Sequence, residues 1–122
     1  MHQLTVIGLG AADFDQLQMG VYKQLKQAKK LYVRTEDHPV LHDLKEEGVV
    51  FSSFDYVYEK HDTFAPVYKE IAALLIEAAK EEPVMYAVPG HPLVAEQTVQ
   101  HLIEAANKGQ VQLKIEGGQS FL

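Results

Sequence analysis

The most constraining feature of this sequence is a regular alternation between short apolar runs and stretches of helical periodicity. The apolar runs occupy residues 4–8, 31–33, 84–88 and 111–115, with a further run at 49–51. Helical spacing of apolar residues covers 14–28, 39–48, 64–78 and 93–106, and Phe14, Leu17, Val21 and Leu25 illustrate it at intervals of three and four. Such alternation predicts an α/β fold of three layers: a five-stranded, mainly parallel sheet with helices on both faces.

The helix boundaries are indicated by capping and stop residues. Asp13 with Gln16 resembles an N-terminal capping box, and Asp62 or Thr63 can cap the helix that starts near residue 64. Gly48 and Gly109 are placed to end helices. The third strand is predicted at 49–51, and its continuation through 54–56 is the least defined part of the pattern.

Four loops are candidates for function because right-handed crossovers bring them to the carboxyl edge of a parallel sheet. They span residues 8–13, 34–39, 89–92 and 117–120. Ligands of such sheets bind outside that edge, near a topological switch point. The sequence therefore predicts that any site is built from these loops.

The first loop, VIGLGAAD, places Gly8 and Gly10 directly after a strand. Glycine lets a ligand approach the backbone closely, but two glycines also suit a tight strand-to-helix turn capped by Asp13. A dinucleotide fingerprint would need a third glycine at position 13, and an aspartate stands there. Both ligand binding and a plain turn remain open for this loop.

The polar loop VRTEDHP and the histidines near it allow several roles. An acid at Glu36 or Asp37 could bind ribose hydroxyls, although a solvated loop that caps the next helix is the simpler interpretation. His38 and His42 are four residues apart and could share a helix face as metal ligands, but no carboxylate-rich motif supports a metal, and none is predicted. His61 is a candidate substrate contact.

The corner Val88-Pro89-Gly90-His91-Pro92 follows the fourth apolar run. Each proline restrains its own backbone and keeps the preceding residue extended, while glycine permits the turn between them. Two interpretations fit this corner: a stiff shelf of backbone against a flat ligand, or a sharp turn with an incidental histidine.

Composition limits the classes of function. The 122 residues carry a net charge of −6 and no cysteine, which excludes disulfides and thiolate chemistry and argues against a nucleic-acid partner bound by bulk charge. No apolar run approaches the length of a membrane span, and the N-terminus lacks a signal-peptide pattern, so a cytoplasmic location is expected.

The last residues, EGGQSFL, resemble a strand exit, a glycine turn and a serine cap without the helix that should follow. We therefore expect residues 1–122 to be the N-terminal α/β subdomain of a longer protein.

Taken in order, the glycine turn, the Pro-Gly-x-Pro corner and the final glycine turn with serine resemble the tetrapyrrole (corrin/porphyrin) methylase superfamily. The resemblance covers the whole chain but only the N-terminal half of that two-domain fold. The segments YVRTEDHP, YEKHDTF, YAVPGHPLVAE and GGQSFL are most similar to the methylase-like domain fused to a MazG-type nucleoside triphosphate pyrophosphohydrolase.

The resemblance implies an S-adenosylmethionine-dependent methyltransferase whose cofactor lies in a cleft between two α/β domains. It implies a cofactor-binding set with no metal, assigns no catalytic residue, and suggests Asp13 as a further polar contact. The implied cofactor-binding residues are Gly8, Gly10, Ala11, Pro89, Gly90, His91, Ser120 and Phe121. Half of the cleft would lie in this chain, which alone is expected to be inactive. The methyl acceptor would be a small molecule such as a tetrapyrrole, and the longer protein could be a homodimer.

The sequence departs from the family pattern at two places. Ala11 and Ala12 replace Pro and Gly in the first loop, and His91 stands where the family commonly has an aspartate. These departures motivate an alternative hypothesis, in which the domain is a non-catalytic binding or regulatory module attached to a MazG-type hydrolase. Methylation of RNA or of a protein is a third possibility, and the acidic charge disfavours RNA.

Overall fold

The computed structural model describes residues 2–9, 19–37, 39–88 and 97–117, and within them a single five-stranded sheet. Its strands are β1 (Gln3–Gly8), β2 (Leu31–Val33), β3 (Ser52–Ser53), β4 (Val84–Val88) and β5 (Gln112–Gly117). All neighbours pair in parallel, in the order β3-β2-β4-β1-β5. This confirms the predicted α/β class and its parallel sheet.

Five helices connect these strands in the described residues. They are α1 (Met19–Gln27), α2 (Pro39–Glu46), α3 (Asp55–Lys60), α4 (Phe64–Glu81) and α5 (Gln97–Asn107). The predicted apolar positions Phe14, Leu17, Leu93 and Val94 lie outside the described residues, whereas Val21, Leu25 and Leu102 are buried as expected.

The helices pack on both faces of the sheet, each face with its own core. Val21, Leu25 and Leu44, from α1 and α2, bury against one face. Residues of α3, α4 and α5 bury against the other face, as Val57, Ile71, Leu75, Val99 and Leu102 show. The connections from β1 to β2 and from β2 to β3 run towards the β3 edge and lie on one face of the sheet. The connections from β3 to β4 and from β4 to β5 run back towards the β5 edge and lie on the other face, as right-handed crossovers require.

Side chains alternate along the central strands to fill both cores. In β1, Leu4 and Val6 face the core of α3 to α5, while Ile7 faces the core of α1 and α2. In β4, Tyr86 faces the core of α3 to α5 and Ala87 faces the core of α1 and α2. Successive side chains of a strand point to opposite faces of the sheet, so a strand that is buried on both faces needs apolar residues at consecutive positions.

The stop signals at the two predicted glycines are Schellman motifs. Gly48 has φ 89°, its N–H donates to the carbonyl of Lys45, and the N–H of Val49 donates to the carbonyl of Leu44. Gly109 has φ 77°, and the same pair of hydrogen bonds ends α5. A positive φ is readily available only to glycine, so both helices end where the sequence predicts.

The prediction for the third strand was wrong in position. Val49 is part of the cap of α2, Val50 is 87% exposed, and the strand is limited to Ser52–Ser53. The predicted continuation is helix α3 instead: the Phe54 N–H still donates to the carbonyl of Val33 in β2, and α3 starts at the next residue, Asp55. The buried Phe54 ring explains the turn: it stacks on Tyr32 at 5.0 Å between centroids.

Two expectations for α4 need correction. Phe64 is 65% exposed and Leu74 is 37% exposed, so the buried stripe is narrower than the apolar pattern and consists mainly of Val67, Ile71 and Leu75. Thr63 occupies the N-cap position but makes no side-chain capping hydrogen bond. No helix in the described ranges is long and apolar enough to cross a membrane.

Candidate cofactor site

The carboxyl ends of three strands lie side by side at one edge of the sheet. Gly8, the last residue of β1, pairs with Val88 of β4 on one side and with Gly117 of β5 on the other. The three loops that the sequence singled out after these strands therefore start from adjacent positions. Separate stretches of sequence, about 80 and 30 residues apart, converge on one edge because β1 lies between β4 and β5.

The same edge contains a topological switch point. The chain leaving β1 leads to α1 on one face of the sheet, and the chain leaving the adjacent strand β4 leads to α5 on the other face. Loops that diverge to opposite faces leave a crevice between them, which is the usual ligand position in open parallel sheets.

At the centre of this edge the paired residues Gly8 and Gly117 carry no side chains, so no side chain of these two residues stands between the strand ends and a ligand. The first loop nevertheless starts in a fixed position, since the Leu9 N–H donates to the Val88 carbonyl at 2.8 Å and Leu9 is buried. A fixed strand end with two paired glycines fits a ligand that is held by main-chain atoms, as the sequence led us to expect of a cofactor.

Of the predicted cofactor residues, only Gly8 lies within the described parts of the chain. Gly10, Ala11, Pro89, Gly90, His91, Ser120 and Phe121 lie outside them, as does Asp13. Their roles remain predictions, supported by the convergence of the strand ends from which their loops start.

The loop after β2 is held in place by Asp55, a residue that the sequence analysis did not single out. The Glu36 N–H donates to Asp55 Oδ2 at 2.9 Å, and the Asp37 N–H donates to Thr35 Oγ1 at 3.1 Å. Burial raises the pKa of Asp55, but hydrogen bonds from Glu36, Thr35 and Ser53 more than offset this and lower the pKa below its usual range.

Asp55 could have been found from one signal in the sequence. It is an acid directly after Ser52-Ser53-Phe54, which suits the first turn of a helix, and α3 does start at Asp55. The loop it holds was expected to be solvated, and Glu36 and Asp37 are indeed exposed.

His61 lies between α3 and α4 and pairs with Glu70. Its Nε2 is 2.8 Å from Glu70 Oε1, while Lys60 Nζ is 2.9 Å from Glu70 Oε2. Hydrogen bonds from Lys60 and His61 lower the pKa of Glu70. This contact links α3 to α4, and the predicted substrate role of His61 remains a prediction.

Metal ligation finds no support among the residues that the structure describes. His38 lies outside them, His42 is exposed, and no group of three or more His, Cys, Asp or Glu side chains there could hold an ion.

A three-layer parallel sheet of this kind defines the class of open α/β proteins, whose ligands bind outside the carboxyl ends of the strands. Within that class, the sequence profile of the Tetrapyrrole (Corrin/Porphyrin) Methylases matches residues 3–118. The chain belongs to this family, as its order of loop motifs led us to expect.

Individual relatives agree with this assignment. The chain is 57% identical over 120 residues to the uncharacterized protein YabN of Bacillus subtilis (strain 168), covering 98% of this chain and 24% of that protein. It is 30% identical over 118 residues to the diphthine synthase of Archaeoglobus fulgidus, covering 97% of this chain and 45% of the relative. The chain thus spans less than half the length of either relative.

Solved structures share the fold. A crystal structure of diphthine synthase matches with a TM-score of 0.71 at 25% identity, covering 98% of this chain and 45% of that one. The uroporphyrin-III-C-methyltransferase of Thermus thermophilus matches with a TM-score of 0.72 at 18% identity, covering 98% and 48% respectively.

Proposed function

We propose that this chain forms part of an S-adenosylmethionine-dependent methyltransferase and supplies one half of its cofactor cleft. The observation that carries the proposal is the pairing of Gly8 with Val88 and Gly117, which aligns three candidate cofactor loops at a switch point. Family membership supports the reaction class, and one solved relative is a methyltransferase by name.

In this proposal, Gly8, Gly10 and Ala11 form the floor of the cleft. Pro89, Gly90 and His91 form a rigid wall against the cofactor, and Ser120 with Phe121 lies near it. The proposal assigns the opposite wall to a second α/β domain, and the relatives, of which this chain spans less than half, are long enough to contain one.

The cofactor would supply an activated methyl group on a sulfonium, so the protein needs no nucleophile of its own. The residues of this chain have three tasks: to fix the orientation of the ligand, to exclude water and to avoid placing positive charge against the sulfonium. A neutral His91 meets the last requirement, whereas a protonated imidazole would repel the ligand.

Titration of the 122-residue chain with S-adenosylmethionine, followed by calorimetry and by amide NMR shifts, tests this proposal. We expect weak binding, with shifts concentrated at Gly8, Leu9 and Val88, and weaker binding still for Gly8→Ala, whose added methyl group would have to be accommodated at a buried strand end from which the first loop starts. Circular dichroism of the variant checks that the fold is kept.

The two parts of the proposal fail separately. The cofactor assignment is wrong if the strand ends show no shifts at saturating ligand. The half-cleft assignment is wrong if the chain alone binds as tightly as a longer protein that includes a second domain, for which the Bacillus subtilis relative is a practical comparison.

A second candidate function is a non-catalytic binding or regulatory module attached to a MazG-type pyrophosphohydrolase. The altered first loop, with Ala11 and Ala12, and the histidine at position 91 favour it. The Bacillus subtilis relative, of which this chain covers 24%, is long enough for additional domains. If His91→Ala leaves cofactor affinity unchanged while His91→Asp raises it, the module interpretation gains over catalysis.

The partners follow from the same proposal. The methyl acceptor is a small molecule, and the name of the Thermus relative, a uroporphyrin methyltransferase, makes a tetrapyrrole the first compound to test. Nucleic acid is not part of the proposal because of the net charge of −6. A cytoplasmic location and a homodimer of the longer protein complete it.

A further inference from the structure

A cavity of about 320 Å³ lies at the amino edge of the sheet, where the turns leading into β2 and β3 meet. Leu31 and Ser52, the first residues of these two strands, line it. All strands are parallel, so this edge is opposite to the carboxyl edge where the cofactor site is proposed. The cavity is therefore separate from that site.

The cavity combines an apolar wall with a cationic rim. Leu25, Leu31 and Val49 are buried, and the half-buried Phe51 adds an aromatic face. The rim carries three lysines within five residues of sequence, namely Lys26, Lys29 and Lys30. The accessible lining is more polar than apolar, so the apolar contact open to a ligand comes mainly from Phe51 and the exposed Val50, beside the lysines.

The positive charges of the rim are not neutralised within the part of the chain that the structure describes. Among those residues, none of the three lysines forms an ion pair with a carboxylate. Lys26 Nζ lies 5.4 Å from the ring centroid of Tyr22, and Lys30 Nζ lies 5.3 Å from that of Tyr32. An aromatic ring orients an ammonium group without removing its charge, so the charge stays available to an anion.

The helix dipole explains only one of these lysines. Lys26 lies in the last turn of α1, where a cation stabilises the negative helix terminus. Lys29 and Lys30 follow the last helical residue, Gln27, and the dipole effect is confined to the last turn. Two cations at the cavity thus have no carboxylate partner among residues 2–9, 19–37, 39–88 and 97–117.

We propose that this cavity binds a small organic phosphate, with a flat apolar body against Phe51 and the phosphate held by Lys29 and Lys30. The volume suits a ligand of that size, since small-molecule sites start at roughly 300 Å³. A phosphate carries about two negative charges near neutral pH, which matches a rim of several ammonium groups better than a single carboxylate does.

Uridine monophosphate is a suitable probe because it lacks the adenine ring of the expected cofactor. Titration of the ¹⁵N-labelled chain should shift the amides of residues 25–31 and 48–52, while Gly8 and Val88 stay unchanged. Uridine and inorganic phosphate, each carrying half of the recognised chemistry, should bind at least tenfold more weakly than the nucleotide.

The double variant Lys29→Ala/Lys30→Ala should weaken binding roughly tenfold, since ion pairs near the surface contribute modestly and two of them are removed. Lys23→Ala/Lys69→Ala removes the same charge from exposed positions away from this cavity, and it should leave the affinity almost unchanged. Val50→Glu places an acid on the rim at an exposed position, so it should abolish binding without unfolding the chain.

Three results would overturn the proposal: shifts that map to the carboxyl edge or scatter over the surface, inorganic phosphate binding as tightly as the nucleotide, or an equal loss of affinity in the control double variant. The first would mean that the nucleotide occupies another site or none. The second would reduce the cavity to a simple anion site, and the third would show attraction by general charge alone.

Discussion

At the scale of single residues, Asp55 connects two segments at the carboxyl edge through one carboxylate. It accepts from the Glu36 N–H in the loop after β2, and it starts α3 immediately after β3. The loop from Arg34 to Asp37 has no regular structure of its own; the Arg34 N–H donates to the carbonyl of Ala87 at its start, and the Asp55 contact holds it further along.

Replacing this carboxylate should weaken the fold in a pH-dependent way. We expect Asp55→Asn to lower the free energy of unfolding by about 1 kcal/mol at pH 7, because a charge-assisted hydrogen bond at a partly exposed site is lost. Urea denaturation measures the difference. Asp37→Asn, an exposed change in the same loop, is the matched control and should have little effect.

The sign of the pH dependence follows from the lowered pKa of Asp55. Burial alone would raise this pKa, but the hydrogen bonds to the carboxylate lower it by more. A carboxylate with a depressed folded-state pKa stabilises the protein above its unfolded pKa of about 3.9, and the contribution disappears as pH falls through the folded-state value. The difference between wild type and Asp55→Asn should therefore shrink below about pH 3.9. A difference that persists unchanged at about pH 2, below both values, would contradict this assignment.

At the scale of elements, the segment between α2 and α3 shows how capping competes with strand formation. Val49 has the β-branched side chain of a strand residue, yet its N–H completes the Schellman motif of α2. The strand can start only after the cap, and it ends when Phe54 turns into the core.

This revised register predicts that substitutions at Val50 and Phe54, only four positions apart, lower the free energy of unfolding by very different amounts. Val50→Ala should change the free energy of unfolding by less than about 0.5 kcal/mol, because Val50 is 87% exposed. Phe54→Leu should cost about 1–2 kcal/mol, because it removes the stacking on Tyr32 and leaves unfilled space beside Tyr86.

Thermal and urea denaturation of the two variants would settle the register. Equal losses for Val50 and Phe54 would indicate that residues 49–51 form the strand, as the sequence pattern first predicted. Intact secondary structure in each variant, checked by circular dichroism, excludes general unfolding as the cause.

At the scale of the whole molecule, strand order determines both the position of the site and the distribution of stability. β1, β2 and β4 each have a strand on both sides, and β1 and β4 contain the fully buried residues Val6, Ile7 and Tyr86, whereas β3 is a two-residue edge strand. The strands that we expect to be best protected, β1 and β4, also end at the proposed cofactor edge.

Amide hydrogen exchange should reflect this order. The slowest exchange is expected at Val6, Ile7 and Tyr86, which are fully buried at the centre of the sheet, and the fastest strand exchange at Ser52 and Ser53. Protection of β3 equal to that of β1 would argue that another chain covers the edge of the sheet in solution.

Much of the fold could be predicted because it depends on local patterns. The apolar runs of β1, β2 and β4 match the observed strands within one residue, and Gly48 and Gly109 end helices as predicted. The strand of residues 49–51 was misplaced because the competing Schellman hydrogen bond involves α2 and leaves no trace in apolar periodicity.

Only part of the candidate site could be predicted from the sequence: its loops, but not the residues that act through distant contacts. The sequence identified the loops after β1, β4 and β5 from their glycines and prolines, and family membership supports their importance. It did not identify Asp55 or the lysines of the amino-edge cavity, since their significance comes from contacts with residues distant in the chain.

Sequence by itself determined the helix stops, because they rest on backbone preferences within a few residues, and the fold class, because apolar runs alternate with helical patterns along the chain. The order of its loop motifs carried the resemblance to the tetrapyrrole methylase family. Only the tertiary structure decided that Gly8 lies between Val88 and Gly117, since strand order depends on long-range crossovers. The same long-range packing decided that Asp55 holds a loop at one edge and that lysines surround a cavity at the other.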